Sequence, residues 1–234
     1  MKTAICFSGQ LRFVKECHHF IYKNLVGFDD MDVFVHTWKD EMAGNNQSLT
    51  RTSDIDEVLD LFNITSYNQQ SPSNDIAPNG ISKKKFIHYS MFYSIMKSNE
   101  LKKIHETDNN FKYDCVIKCR FDNVLLSKLD VSKYDLNCVY SPWIHKHGVI
   151  SDWLNFSNSE IMDTYSLAWN NMQTYDKQNV NMCSGEEILT KHLKTNNIDF
   201  KSSNNELKLI RKSGTQESSN WIPEDKLNIC YENK

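Results

Sequence analysis

Arg120 and Asp122 stand two residues apart where an apolar run, Cys115-Val116-Ile117-Lys118-Cys119, comes to its end. Positions i and i+2 of an extended chain project from one face, so the guanidinium and the carboxylate are expected side by side as a strand leaves its sheet. Such a pair suits a ligand carrying phosphates, a metal ion or ribose hydroxyls, and open α/β sheets bind ligands at the carboxyl ends of their strands. The same two residues would equally make a salt bridge that closes the strand. Two further groups fall at expected strand ends: Ser8-Gly9-Gln10-Leu11-Arg12 and His36-Thr37-Trp38. Gly9 permits a tight turn, and the amide groups of a following helix would face whatever sits above the sheet. Ser8 and Gln10 are of the type that hydrogen-bonds a base or ribose, and Arg12 of the type that neutralises a phosphate. The pattern is neither G-x-G-x-x-G nor a P-loop, and Ser-Gly-Gln is also an ordinary strand-to-helix turn.

These groups need a scaffold, and the hydrophobic pattern supplies one. Thr3 to Phe7 reads as a strand, followed by a helix from Leu11 to about Leu25 and a second strand over Met31 to Trp38. Lys39 to Thr52 is a polar loop. Ser53 with Asp56 resembles a capping box opening a short helix through Phe62, and Asn68 to Gly80 is a second loop. Phe86 to Glu106 carries Phe86, Tyr89, Tyr93, Met96 and Leu101 at helical spacing, a stripe that reads as core. The strand ending at Arg120 follows, then a strand at Cys138 to Ser141, a loop from Pro142 to Ser151, and a short strand at Trp153 to Phe156. Ser157 or Ser159 is expected to cap a helix running to about Met172. Ser184-Gly185-Glu186-Glu187 opens another helix through about Lys194, and Ile198 to Ile210 holds one or two short strands. Strands alternating with helices predict an α/β fold with a mainly parallel sheet covered on both faces.

Composition narrows the class. The 234 residues are enough for one core with an appended subdomain, and 39 % hydrophobic residues with 12 % aromatics exclude a disordered chain. No run approaches the roughly 20 apolar residues of a spanning helix, and Met1 to Gly9 is too short in its apolar part for a signal peptide. Seven scattered cysteines without a C-x-x-C pair suggest buried thiols in a reducing, cytoplasmic setting. A formal charge of −3 argues against tight nonspecific binding to nucleic acid. Lys83-Lys84-Lys85 reads as a solvated helix start, while Trp143, Trp153 and Trp221 are candidates for stacking on a sugar or base.

In their order and spacing these segments resemble small bacterial and viral glycosyltransferases of the GT-A type. The resemblance rests on Ala4 through Arg12, Asp32 through Trp38, Tyr93 through Leu101, Tyr113-Asp114 through Asp122, and Asp152-Trp153 through Tyr165. It implies one GT-A-like domain over residues 1–212, with a nucleotide-sugar-binding half at 1–125, an acceptor half at 126–212 and a carboxyl-terminal tail at 213–234. It further implies that Ser8, Gly9, Gln10, Arg12, His36, Trp38, Arg120 and Asp122 bind the donor. Many such enzymes hold a divalent cation through Asp-x-Asp. Here Arg120 replaces the first carboxylate, leaving Asp122 as the sole ligand for Mn²⁺ or Mg²⁺, unless Arg120 itself pairs with the diphosphate. Gly185-Glu186-Glu187 is similar in position to the carboxylate pair that inverting members use as base. Ser184 and Glu187 would also form a capping box, which leaves Glu186 the freer group, and Asp152 is the other candidate for base or acceptor binding. The acceptor implied is a surface or lipid-linked glycan, with peripheral membrane contact, or a modified, hydroxymethylated base in viral DNA. The competing expectations are a nucleotide- or sugar-binding module without turnover, and a nucleotidyltransferase.

Overall fold

The computed structural model describes residues 1–39, 53–211 and 220–227. The expected loop at 40–52 and much of the expected tail lie outside the described residues. Four parallel strands form the centre: β1 (Thr3–Gly9), β2 (Asp32–Trp38), β3 (Ile64–Gln70) and β4 (Cys115–Cys119), in the order β3-β2-β1-β4. Ile5 lies opposite Val33 on one side and Ile117 on the other. Alternation then divides the side chains between two cores. Ile5, Phe7, Val33, Val35, Ile117 and Cys119 pack beneath α1 (Val14–Asn24) and α2 (Ile55–Leu61). Ala4, Cys6, Phe34 and Val116 pack beneath α3 (Lys83–Asp108), α4 (Ser159–Ser166), α5 (Ala168–Lys177) and α6 (Gly185–Thr195).

Three more strands extend the sheet beyond β4. β7 (Leu154–Ser157) runs antiparallel to β4, and β6 (Val139–Ser141) and β8 (Phe200–Ser202) continue the order as β4-β7-β6-β8. The result is a mixed α/β domain whose seven-stranded sheet is mostly parallel. A second sheet of β5 (Asn123–Leu125), β9 (Leu207–Arg211) and β10 (Trp221–Pro223) lies against α1, with Ile222 and Leu227 buried against Phe13, Phe20 and Val124. Part of the expected tail is therefore packed structure.

The departures from expectation have local causes. Helix α1 begins at Val14, not Leu11, because Phe13 takes a left-handed conformation (φ 51°, ψ 35°). Residues 10–13 instead cross the end of the sheet, with Leu11 buried in one core and Phe13 in another. The capping box of α2 sits one residue later than expected: Asp54 accepts from the Glu57 amide, and Glu57 returns the bond. Strand β3 takes Asn68 to Gln70 out of the expected loop. It is a half-exposed edge strand and so lacks an apolar signature. The helix expected to run to Met172 is broken at Leu167, where Ser166 Oγ bonds back to the Asp163 carbonyl, a contact that bends helices.

Helix α3 runs antiparallel to the strands it covers, so its first turns overlie their carboxyl ends and its last turns their amino ends. At the amino end it carries a buried ionic network. Lys102 Nζ, fully buried, reaches Asp163 at 2.8 Å, Ser159 Oγ at 2.6 Å and Glu106 at 3.0 Å. Glu106 also accepts from the Tyr113 amide at 2.9 Å, which ties α3 and α4 to the start of β4. Removing one partner of a buried ion pair strands the other charge. Lys102→Met is therefore expected to cost on the order of 3–5 kcal/mol, read as a lower urea midpoint with an unchanged slope.

Candidate functional site

A cavity of about 260 Å³ opens at the carboxyl ends of β1, β2 and β4. β1 leads away to β2 and β3 on one side while β4 lies on its other side, so the crevice sits where the strand order reverses. Its floor is Ser8, Gly9 and Gln10 after β1, Trp38 at the end of β2, and Lys118, Arg120 and Asp122 at the end of β4. Ile87, His88, Ser90 and Met91 in the first turns of α3 form one wall. Asp152, Trp153 and Glu186 form another, and Arg12 and Arg211 close the rim.

Gly9 is held at φ 111°, a conformation that disfavours any side chain. Its amide donates to Ser94 Oγ at 2.8 Å and its carbonyl accepts from Thr37 Oγ1 at 2.8 Å. Ser94 also contacts His36 Nδ1 at 2.8 Å. His36 is fully buried and does not line the cavity, so the expectation that it binds the donor is corrected to a supporting role beneath the site. Burial lowers its pKa to about 4, leaving a neutral ring edge-on to Trp38, which itself stacks on Tyr93 at 5.7 Å. Ser94 lies in the Tyr93–Leu101 segment that carries the resemblance, but no role was expected of it, because one serine inside a long helix carries no signal of its own.

The Arg120–Asp122 pair forms the expected bridge in a more committed form. Arg120 Nε and Nη2 donate to the two Asp122 oxygens at 2.8 and 2.7 Å, and Arg211 Nη1 donates to Oδ2 at 3.2 Å. Burial alone would raise the Asp122 carboxyl. Arg120, by charge and hydrogen bond, together with Arg211 and Arg12, overrides it and holds the group well below the usual carboxylate range. A cation site at Asp122 does not fit this geometry, since the carboxylate is buried between two guanidinium groups whose positive charge opposes a cation. Among the described residues, no group of three or more His, Cys, Asp or Glu side chains is placed to hold a metal ion. Arg211 was not anticipated, because only the pairing of β9 with β5 brings it to Asp122.

On the opposite wall Asp152 and Glu186 come together, and Glu187 does not join them. Glu187 is exposed, its amide bonded to Ser184 Oγ at 3.2 Å and its carboxylate accepting from Asn181 at 3.0 Å. Gly185, at the start of α6, lies against Asp152: a Cβ there would stand 2.3 Å from Asp152 Oδ2. The Glu186 carboxyl is raised, first by burial and then by the negative charge of Asp152. Lys118 reaches across from β4 and donates to the Asp152 backbone carbonyl, and burial lowers its pKa to about 8. A lysine inside an otherwise apolar strand was a readable signal of this role. Trp153 lines the cavity with Trp143 packed edge-on at 4.7 Å, whereas Trp221 lies away in β10. Lys85, at the start of α3, is bound to Asp176 at 2.7 Å.

The chain matches, over residues 1–230, the family described as a domain of unknown function (DUF7796). It belongs to that family. No curated protein matches it. The matched span includes every residue that lines the cavity.

Because the Asp122 pKa is depressed on folding, its contribution is complete above the ordinary aspartate range and is lost as pH falls through the folded value. Asp122→Asn is expected to lower stability by about 3 kcal/mol at pH 7. In urea titrations the deficit should stay constant down to about pH 5 and narrow only in stronger acid.

Proposed function

We propose that this chain is a GT-A-like glycosyltransferase, which moves a sugar from a nucleotide-sugar donor to an acceptor hydroxyl. The observation that carries the reading is the polarity of the cavity. Guanidinium groups from Arg12, Arg120 and Arg211 gather on one side, and the Asp152–Glu186 carboxylate pair faces them from the other. The strand order β3-β2-β1-β4, followed by an antiparallel β7, supports the fold part of the proposal. Buried thiols such as Cys6, Cys17 and Cys119, which serve as core residues, support a cytoplasmic setting.

The donor diphosphate would lie on the guanidinium side, its nucleoside reaching toward Ser8, Gln10 and the face of Trp38. The acceptor hydroxyl would sit against Glu186. In an inverting displacement, ionised Glu186 removes the hydroxyl proton as the acceptor oxygen bonds to the anomeric carbon. The bond from that carbon to the diphosphate oxygen breaks, and its electron pair leaves with the diphosphate, where cationic groups are most effective. A carboxylate base works best when its pKa approaches the working pH, which is the direction in which burial and Asp152 move Glu186. His145 opposes that shift, and the Ser184 hydroxyl, bonded to Glu186 Oε2 at 3.2 Å, favours the ionised form.

Nucleotide release from a panel of UDP-, GDP-, CMP- and TDP-sugars tests the proposal, since water can stand in for the acceptor. Turnover with one donor is the expected result; binding without release from any donor would instead indicate a module. With the donor found, Glu186→Gln is expected to reduce turnover by roughly 10²–10⁴ while leaving donor affinity nearly unchanged. The acid limb of the wild-type pH–rate profile should lie above the ordinary glutamate range. Asp152→Asn should move that limb to lower pH, because it removes a charge that raises the Glu186 pKa. Gly185→Ala should fold but turn over slowly, since its methyl group displaces the Asp152 carboxylate.

A further inference from the structure

We infer that the anionic part of the ligand is held by guanidinium groups without a divalent cation, and that Asp122 serves to aim Arg120 and Arg211. The inference rests on the nucleotide-sugar reading for the identity of the anion, and on geometry for the manner of its binding. A carboxylate that bridges a metal to a diphosphate must turn at least one oxygen toward the cation. In Asp122, Oδ2 accepts two guanidinium N–H bonds and Oδ1 one, so three of its roughly four acceptor sites face guanidinium groups, and its side chain is only 3 % exposed. A cation placed there would meet the positive charges of Arg120 and Arg211 at contact distance.

The same bonds leave both guanidiniums well disposed toward an anion. Arg120 spends Nε and one Nη2 hydrogen on Asp122, so its Nη1 edge remains. Arg211 spends Nη1 on Asp122 and on the Ile210 carbonyl, so among the described residues Nε and Nη2 remain. Their side chains are 20 % and 14 % exposed, and both border the cavity. Arg120 and Arg211 share the single Asp122 carboxylate, so the pair keeps an excess of positive charge on this side. A diphosphate ester carries negative charge of the complementary sign, and planar guanidinium forks match phosphate oxygens. The Asp122 bridge fixes the forks beforehand, so binding need not order them.

The test is the thermal stability and calorimetric affinity of the full chain with UDP, GDP, CDP, ADP and TDP, and with inorganic pyrophosphate. Each is measured in excess EDTA and again with millimolar Mn²⁺ or Mg²⁺. One nucleoside diphosphate is expected to bind with an affinity that differs less than about 3-fold between the two conditions. Arg211→Gln should weaken it by roughly 10-fold or more, the loss of a charge-assisted contact, and Arg211→Lys should restore part of the loss. Arg211→Gln lies at a strand end, and its urea midpoint reports whether the fold is kept. Should the variant unfold, the EDTA comparison on the wild-type chain still decides. Binding that EDTA abolishes and Mn²⁺ restores overturns the inference and leaves the sugar-transfer reading standing. Pyrophosphate binding in EDTA with no nucleotide preference upholds the anion site and overturns the nucleotide-sugar reading. Failure of every probe in both conditions overturns both.

Discussion

The buried Asp122 carboxylate, shared between Arg120 and Arg211, is the interaction on which the arrangement of this protein depends. Arg120 follows a central strand of the large sheet, and Arg211 ends a strand of the small one. A second bond reinforces the junction, as the Ile210 amide donates to the Asp122 carbonyl at 3.0 Å. The bridge thus joins two sheets that also share apolar packing, since Leu125 and Leu207 of the small sheet lie in one cluster with Ile5, Phe7 and Ile117 of the large one. A buried ion pair is often no more stabilising than a well-packed hydrophobic substitute. What it adds here is orientation, because an apolar contact would join the sheets without aiming two forks at a cavity.

Why do the arginines of one wall not collapse onto the carboxylates of the other? Each side is satisfied locally. Asp122 occupies the broad edge of the Arg120 fork, while Asp152 lies against the first residue of α6, where the helix terminus favours negative charge. Lys118 stands between the two walls, yet it binds the backbone carbonyl of Asp152 and so leaves the carboxylate turned toward Glu186. The cavity can therefore hold separated charges without a ligand to bridge them.

Much of this was legible in the sequence, and the limits are physical. Strands β1, β2 and β4 announced themselves because both faces are covered and most of their residues are apolar. Their ends, at Gly9, Trp38 and Arg120, do border the cavity. Edge strand β3 and the short strands β5 and β10 gave no such signal, since polar or brief segments become strands only through their partners. His36 shared the position and chemistry of a ligand-binding residue but turned to the opposite use. Nothing in its own segment reveals that Ser94, 58 residues later, captures its ring. Arg211 was invisible for the same reason, being defined by a pairing with residues 123–125.

Glu186 and Glu187 show how finely such a site is divided. They are adjacent in sequence and both lie in the first turn of α6, where backbone amides favour carboxylates. A helix turns about 100° per residue, so neighbours cannot share an outlook. Glu187 faces solvent and is engaged by Asn181, which commits it to the loop before the helix. Glu186 faces the cavity, loses water and meets Asp152, and both changes disfavour its charged form. The difference between a loop brace and a candidate base is thus one residue of helical rotation. Gly185 sets it, because only there can α6 begin close enough to Asp152 for the two carboxylates to interact.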